Sequence, residues 1–446
     1  MKMTESLPPS TNWFHPTQRP YRFIVLFFAS LITLGSYFAY DSVGAIPDQL
    51  MRKWGVDQAS IGSLYSAYSL SAILTLLFGG ILIDKIGTRK SSLLFSVVVT
   101  LGAALVALAP NIRIAYAGRF LFGAGSESLI TAQNAILARW FKGKELALAF
   151  GITLTICRLG TLFSFNSEAL IAERFSAGMA LWAAVLFCGV SLMTNLVFVF
   201  LDKRGERALG LANGVKSDRI VFSEIRYFSK SYWYVTLLCL TFYSAIFPFT
   251  ALSTNFFAEK WGLPSASGEG LGFLRAVFFN FLNLFSTAPG TSSIIIFASM
   301  VFAPFAGGLV DRIGKRATMM LVGSLLMIPS YLLLAFTTLP PKYAMCLLGT
   351  AFVLVPAAMW PSIPLVVKPQ LIGTAFGLTN MIQNIGLMTF PWLNGQLRVL
   401  TQNYTASMVM FASLGLLGFF FSIGLRSADA KSGGTLENAS GQGIKI

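Results

Sequence analysis

Gly80-Ile-Leu-Ile-Asp84-Lys85-Ile-Gly87-Thr-Arg89-Lys90 and Gly307-Gly-Leu-Val-Asp311-Arg312-Ile-Gly314-Lys315-Arg316 are one short pattern that occurs twice in this chain. Each copy follows a long apolar run and precedes another. The pattern has an acid, several bases, and glycines that allow a tight reversal. A second pair keeps almost the same spacing: Ala149-Phe150-Gly151 with Gly160 answers Ala375-Phe376-Gly377 with Gly386. Two independent matches at nearly one offset indicate a duplicated unit in parallel orientation, the internal symmetry that secondary transporters show.

Composition fixes the solvent of these units. The chain has 446 residues, 55% hydrophobic and 11% charged, against about 25% charged in soluble domains. So few polar groups cannot cover a water-facing surface, and the chain is expected to be an integral membrane protein. Apolar windows of about 20 residues fall at 22–43, 60–83, 91–110, 114–138, 145–170, 179–201, 232–257, 292–311, 317–338, 343–366, 372–395 and 405–426. The expected fold is therefore all-α, with twelve transmembrane helices in two pseudo-symmetric six-helix bundles. A leader and first bundle occupy 1–201, a basic linker 202–231, a second bundle 232–426, and a polar tail 427–446. One stretch, 263–291, has no counterpart in the first half. It is expected as a helix at the outer interface, with a re-entrant or lid element as the alternative.

The net charge of +15 is topological information. Most Lys and Arg lie in the termini, the central linker and the loops on the same side, and the excess of positive loops marks the cytoplasmic side. Both termini are expected there, and no nucleic-acid partner is implied. The polar start, Met1 to Pro20, contains no evident cleavable signal. Cys157, Cys188, Cys239 and Cys346 are scattered singly, and the one histidine is His15 in the leader. No metal, cofactor or enzyme motif emerges from this pattern.

Two charges stand in the middle of spans: Glu127 in the fourth and Arg158 in the fifth. The cost of each is roughly 2.5–3.5 kcal/mol on insertion scales. At 1.5 Å per residue both lie about 18–20 Å from the cytoplasmic end, level near the midplane. Thr131 and Asn134 share the Glu127 face. An acid and an arginine at one depth fit the two ends of a zwitterion, ammonium on Glu127 and carboxylate on Arg158. The alternatives are a structural ion pair between the two helices and a proton carrier at Glu127. An extended dipeptide separates its charges by roughly 7 Å. Asp41, near the outer mouth, is expected to be a gate or a solvated helix-end charge. In the second half Tyr243, Phe247, Trp360, Asn380, Gln383 and Asn384 are expected to line the opposite wall. That half carries Leu354 and Asn384 where the first half carries its charges. Asp84, Arg89, Asp311 and Arg312 of the repeated loops are expected to form a conformational latch between the halves.

On these residues the chain resembles the major facilitator superfamily, and within it the family of lysosomal dipeptide uniporters called major facilitator superfamily domain-containing protein 1. The resemblance covers most of the chain. It is densest in Gly35 to Asp41, Gly79 to Asp84, Gly118 to Leu129, Trp140 to Leu146, Met345 to Gly349, Trp360-Pro361 and Gly373 to Gly386. It implies that Glu127 and Arg158 hold the amino and carboxyl ends of a peptide. The chain departs from that family in three places. The leader has no dileucine signal, the first outer loop, Pro47 to Ser60, is short and cysteine-free, and the 263–291 stretch is foreign to it. These departures favour a plasma or bacterial inner membrane over the lysosome and argue against dependence on an accessory subunit. The expected activity is alternating-access transport of short peptides, by uniport or with protons. The alternatives are a carrier of other organic anions or amino acids and a non-transporting membrane sensor.

Overall fold

The computed structural model describes residues 15–16, 18–141, 146–209, 222–266, 270–368 and 371–438. Helices α1 (Arg19–Leu31) and α2 (Leu34–Ala45) form a broken first rod, followed by a short α3 (Pro47–Trp54). Next come α4 (Gln58–Leu108), α5 (Ile112–Phe141), α6 (Leu146–Arg174) and α7 (Ala177–Leu209). The second half has α8 (Lys230–Trp261), a short α9 (Phe273–Leu282), α10 (Ala288–Ile313), α11 (Arg316–Phe336), α12 (Lys342–Val366), α13 (Ile372–Thr401) and α14 (Thr405–Lys431).

The α4 stretch is two rods. Gly87, at φ 82° and ψ 159°, breaks helical geometry between them. Gly314 ends α10 at φ 72° at the matching place in the second half. The repeated loop motif therefore places a glycine at each reversal where a Cβ would be strained. Among the described residues, nine helical stretches are long and apolar enough to cross a membrane. The remaining three rods are α5, which carries Arg113, Arg119, Glu127 and Arg139, α10, and α13, which carries Asn380, Gln383, Asn384 and Asn394. Together they make twelve, so the polarity of α5 and α13 is what distinguishes them from lipid-facing spans.

The buried apolar residues group by half. One cluster joins α8 and α10–α14, and a second lies within α1, α2 and α4–α7. A third, at the end of the molecule remote from the chain termini, mixes Val43, Ile46, Leu50, Phe165 and Ala169 with Ala251 and Leu252 of the second half. At this far end the halves are sealed. Thr254 donates to the Gly44 carbonyl at 2.8 Å and Asn255 to Asp48 Oδ1 at 2.8 Å. Asn166 reaches Ser293 Oγ at 3.3 Å, and Ser66 donates to the Met388 carbonyl. Gly62 and Gly395 let α4 and α13 approach backbone to backbone, because a Cβ at either would overlap Pro391 or Ala59.

The segment expected at the outer interface contains α9. Phe273 near its start meets Phe175 (centroids 6.0 Å), and Phe281 near its end meets Phe163 (5.9 Å). Those α6 residues lie about 18 Å apart along the helix axis. The helix therefore slopes along α6.

Candidate functional site

The first rod is broken at Ile32-Thr33, and the break is stabilised by the neighbouring helices. Gln133 on α5 donates its amide to the Ala29 carbonyl at 2.7 Å. Thr33 Oγ1 lies 3.1 Å from Gln133 Oε1 and 2.9 Å from Cys157 Sγ. A backbone group freed inside lipid costs several kcal/mol unless satisfied, and here polar side chains on two other helices satisfy it. The far piece, α2, carries Tyr37, Tyr40 and Asp41.

Glu127 is partly buried on α5. It accepts a hydrogen bond from the Tyr68 hydroxyl at 2.8 Å. Arg158 on α6 lies over three rings: Phe352 at 5.3 Å, Tyr37 at 5.6 Å and Phe247 at 5.8 Å. Two of these belong to the second half, so the guanidinium sits at the seam between the bundles. Among the described residues no ion pair joins Glu127 to Arg158. Tyr37 lies within electrostatic range of both, and of Tyr243. The two poles thus have separate partners, a tyrosine hydroxyl for Glu127 and aromatic rings for Arg158.

The second half supplies aromatic surface. Trp360 Nε1 donates to the Tyr243 hydroxyl at 2.9 Å. Tyr243 stacks on Phe247 (5.5 Å, 7°), and Phe352 meets Phe247 edge-on at 5.9 Å. Asn384 is buried, gives one amide hydrogen to the Asn380 carbonyl at 3.1 Å, and leaves Oδ1 without a protein partner. The structure therefore links Arg158 with Tyr37 and Phe247, and through Phe247 with Tyr243 and Trp360, while Glu127 is held separately by Tyr68. Asn134 is exposed, two turns from Glu127 toward the termini end.

Asp41, expected near the outer mouth, is 8% exposed and lies within electrostatic range of Arg158 and Arg119. Arg89 of the first repeated loop pairs inside its own half, with Asp202 at 3.1 Å and with Glu206. Arg139 and Trp140 Nε1 also converge on Asp202. This charge cluster ties α4, α5 and α7 together. Arg312 is exposed, and the side chains of Asp84 and Asp311 lie outside the described residues.

Three participants escape the sequence. Arg119, 2% exposed, donates to the carbonyls of Ala39 at 3.0 Å and Tyr40 at 3.2 Å beneath the rings of Tyr40, Tyr65 and Tyr68. Its position close to a span end disguises it as a rim charge. Tyr68 is one apolar-run aromatic among many. Glu168, near the end of the fifth span, is fully buried.

A model of the Major Facilitator Superfamily matches residues 26–391, across both bundles. The chain belongs to the Major Facilitator Superfamily. Major Facilitator members share a fold, and this chain is a multi-pass secondary transporter of that type. It is 33% identical over 386 residues to the zebrafish (Danio rerio) protein named lysosomal dipeptide transporter MFSD1, covering 83% of this chain and 79% of that one. To the human (Homo sapiens) protein of that name it is 32% identical over 445 residues, covering 97% and 91%. Among solved structures, a peptide transporter, POT, in complex with alafosfalin superposes with a TM-score of 0.70 at 12% identity, covering 93% of this chain and 96% of that one. At that identity the likeness concerns the fold alone.

Proposed function

We propose that this Major Facilitator chain carries short peptides, in the first place dipeptides, by alternating access. Glu127 receives the amino end and Arg158 the carboxylate. The observation that carries this reading is that the two mid-membrane charges are left apart, one on a tyrosine hydroxyl and the other on aromatic rings. A helix-clamping ion pair would bring them together. The names of the relatives supply the ligand class, and a zwitterion about 7 Å between charges fits two separated poles. Tyr37 lies where the peptide backbone would pass. Tyr243, Phe247, Phe352 and Trp360 offer aromatic surface to its side chains.

The wider setting belongs to the same proposal. Both termini are assigned to the cytoplasm on the positive-inside count, so the sealed far end faces the other compartment. The relatives are named as lysosomal proteins, which does not favour the surface membrane suggested by the short first outer loop. Imaging a tagged full-length chain decides between the two. No enzymatic step, cofactor or accessory subunit is invoked.

The test is uptake by purified protein in liposomes, with a dipeptide panel under several pH gradients. Saturable dipeptide flux that falls with Glu127→Gln and with Arg158→Ala supports the reading. Flux indifferent to both variants removes the site assignment. Flux of simple carboxylates that survives Glu127→Gln but not Arg158→Ala makes the chain an organic-anion carrier. Binding without flux makes it a sensor.

A further inference from the structure

Glu168 lies on α6 with none of its surface exposed, and neither carboxylate oxygen has a hydrogen-bond partner. It sits in the far-end seal. Asn166, two residues before it, bonds to Ser293 of the other half. Phe165 and Ala172, three before and four after it on one helical face, belong to the buried cluster that includes Ala251 and Leu252 of the other half. Helices α1, α2, α5, α7, α9 and α10 pack against α6. Their titratable groups toward this end are Tyr37, Tyr40 and Asp41 on α2, Arg113, Tyr116 and Arg119 on α5, Cys188 on α7 and Arg275 on α9, and α6 itself adds Glu173 and Arg174 beyond Glu168. None of them is hydrogen-bonded to either Glu168 carboxylate oxygen.

An ionised carboxylate buried without a partner costs several kcal/mol, more than the single unmet hydrogen bond of the neutral acid. The closed seal therefore tolerates the acid and rejects the anion. We propose that Glu168 is a proton-binding site that sets the far-end seal: with the proton bound the halves close over it, and without the proton the carboxylate needs water and the seal opens. The proton reaches the group from the far side, when the α6–α10 contact parts. Acidity on that side then biases the carrier toward the conformation seen here. This inference rests on the alternating-access reading but not on the identity of the substrate.

The test needs no substrate. In a Cys346→Ser background, which removes the exposed cysteine, Ser293→Cys in the seal is labelled by a membrane-impermeant maleimide added from the far side, with rates corrected for thiolate content. Labelling is expected to rise several-fold from acid to alkaline pH. Glu168→Gln, an uncharged isostere of the protonated acid, is expected to hold it low and flat with an unchanged melting temperature. Glu168→Asp is expected to restore a pH-dependent rise. A Glu168→Gln profile that tracks the unmodified protein overturns the proposal and assigns any pH response to Asp48 or Asp41. A flat profile in the unmodified protein overturns it as well. Absence of dipeptide flux alongside a pH-dependent, Glu168-dependent profile would remove the peptide reading and leave this one standing.

Discussion

The two halves of this molecule are copies in outline and opposites in chemistry. In the first, α5 and α6 carry Glu127, Arg158, Arg119 and Glu168 within spans, and α2 adds Asp41. In the second, α8, α12 and α13 present Tyr243, Phe247, Phe352 and Trp360, with amides but no acid or base at the matching positions Leu354 and Asn384. The difference shows how a duplicated fold becomes a selective carrier. One copy keeps the costly charges that recognise a backbone's two ends, and the other keeps the rings that tolerate many side chains. Arg158 joins the two roles, because its guanidinium lies on Phe247 and Phe352 of the other half.

The sharpest way to break this division is to remove a charge. Arg158→Ala is expected to lower dipeptide kcat/KM by about 30-fold or more, since a bidentate charge-assisted contact in a desolvated site supplies roughly 2–5 kcal/mol. Glu127→Gln is expected to cost about 10–100-fold and to erase the preference for a free amino end, measured as competition by an N-acetylated dipeptide. Equal losses from Asn384→Ala and from Arg158→Ala would mean the halves share the recognition of charge.

How much of this was readable in the chain follows from the same contrast. The duplication was legible because loop residues at a reversal are held by backbone geometry, and Gly87 and Gly314 recur where positive φ recurs. Glu127 and Arg158 were legible because a charge far from either end of an apolar run has few explanations. The site's shape was not. A straight rod from residue 22 gives no sign of the break at Ile32-Thr33, which Gln133 of another helix stabilises. Nothing in a one-dimensional pattern ties Gln133 to carbonyls about a hundred residues away. Arg119 and Glu168 were lost for a related reason: a charge near a span end reads as snorkelling to the interface, whereas both are buried against other helices.

A second pair of substitutions sharpens the comparison of structure. Gly160 and Gly386 occupy equivalent places, each packed closely against a helix of its own half. A Cβ at Gly160 would overlap the Leu34 carbonyl oxygen, and one at Gly386 the Ser244 hydroxyl. Backbone cannot yield, whereas a hydroxyl can rotate away. Both alanine variants are expected to lower thermal stability in detergent, Gly160→Ala by about 1–3 kcal/mol or more and Gly386→Ala by less. Gly151→Ala is the control, since nothing lies within 4 Å of a Cβ there. The reverse order would mean that the first rod moves freely against α6.

The aromatic wall should respond more gently. Phe352→Leu keeps the bulk and removes the ring face under Arg158, a cation–π contribution of about 0.5–2 kcal/mol. A rise in dipeptide KM of roughly 3–10-fold is expected, with kcat little changed. Phe247→Leu should behave alike. A loss as deep as that of Arg158→Ala would place the rings in charge recognition instead of side-chain accommodation.

The smallest effect belongs to the rim of the seal. Asp48, in the short α3 beyond the first span, accepts from Asn255 of the other half, and burial raises its carboxyl above the ordinary range while the Arg52 charge opposes the shift. An acid whose pKa is raised in the closed form binds its proton more tightly there. Closure is therefore favoured fully below the ordinary carboxylate range and loses that support as pH rises through the shifted value. The sign matches that of Glu168, but Asp48 is partly exposed and solvent screens it, so its share should be less than about tenfold. Asp48→Asn is expected to trim the pH-dependence of Ser293→Cys labelling slightly, leaving the larger part intact. If Asp48→Asn removes the whole response, the pH sensitivity resides in the loop that bridges the halves, and the buried carboxyl on α6 is only a neutral filler of the core.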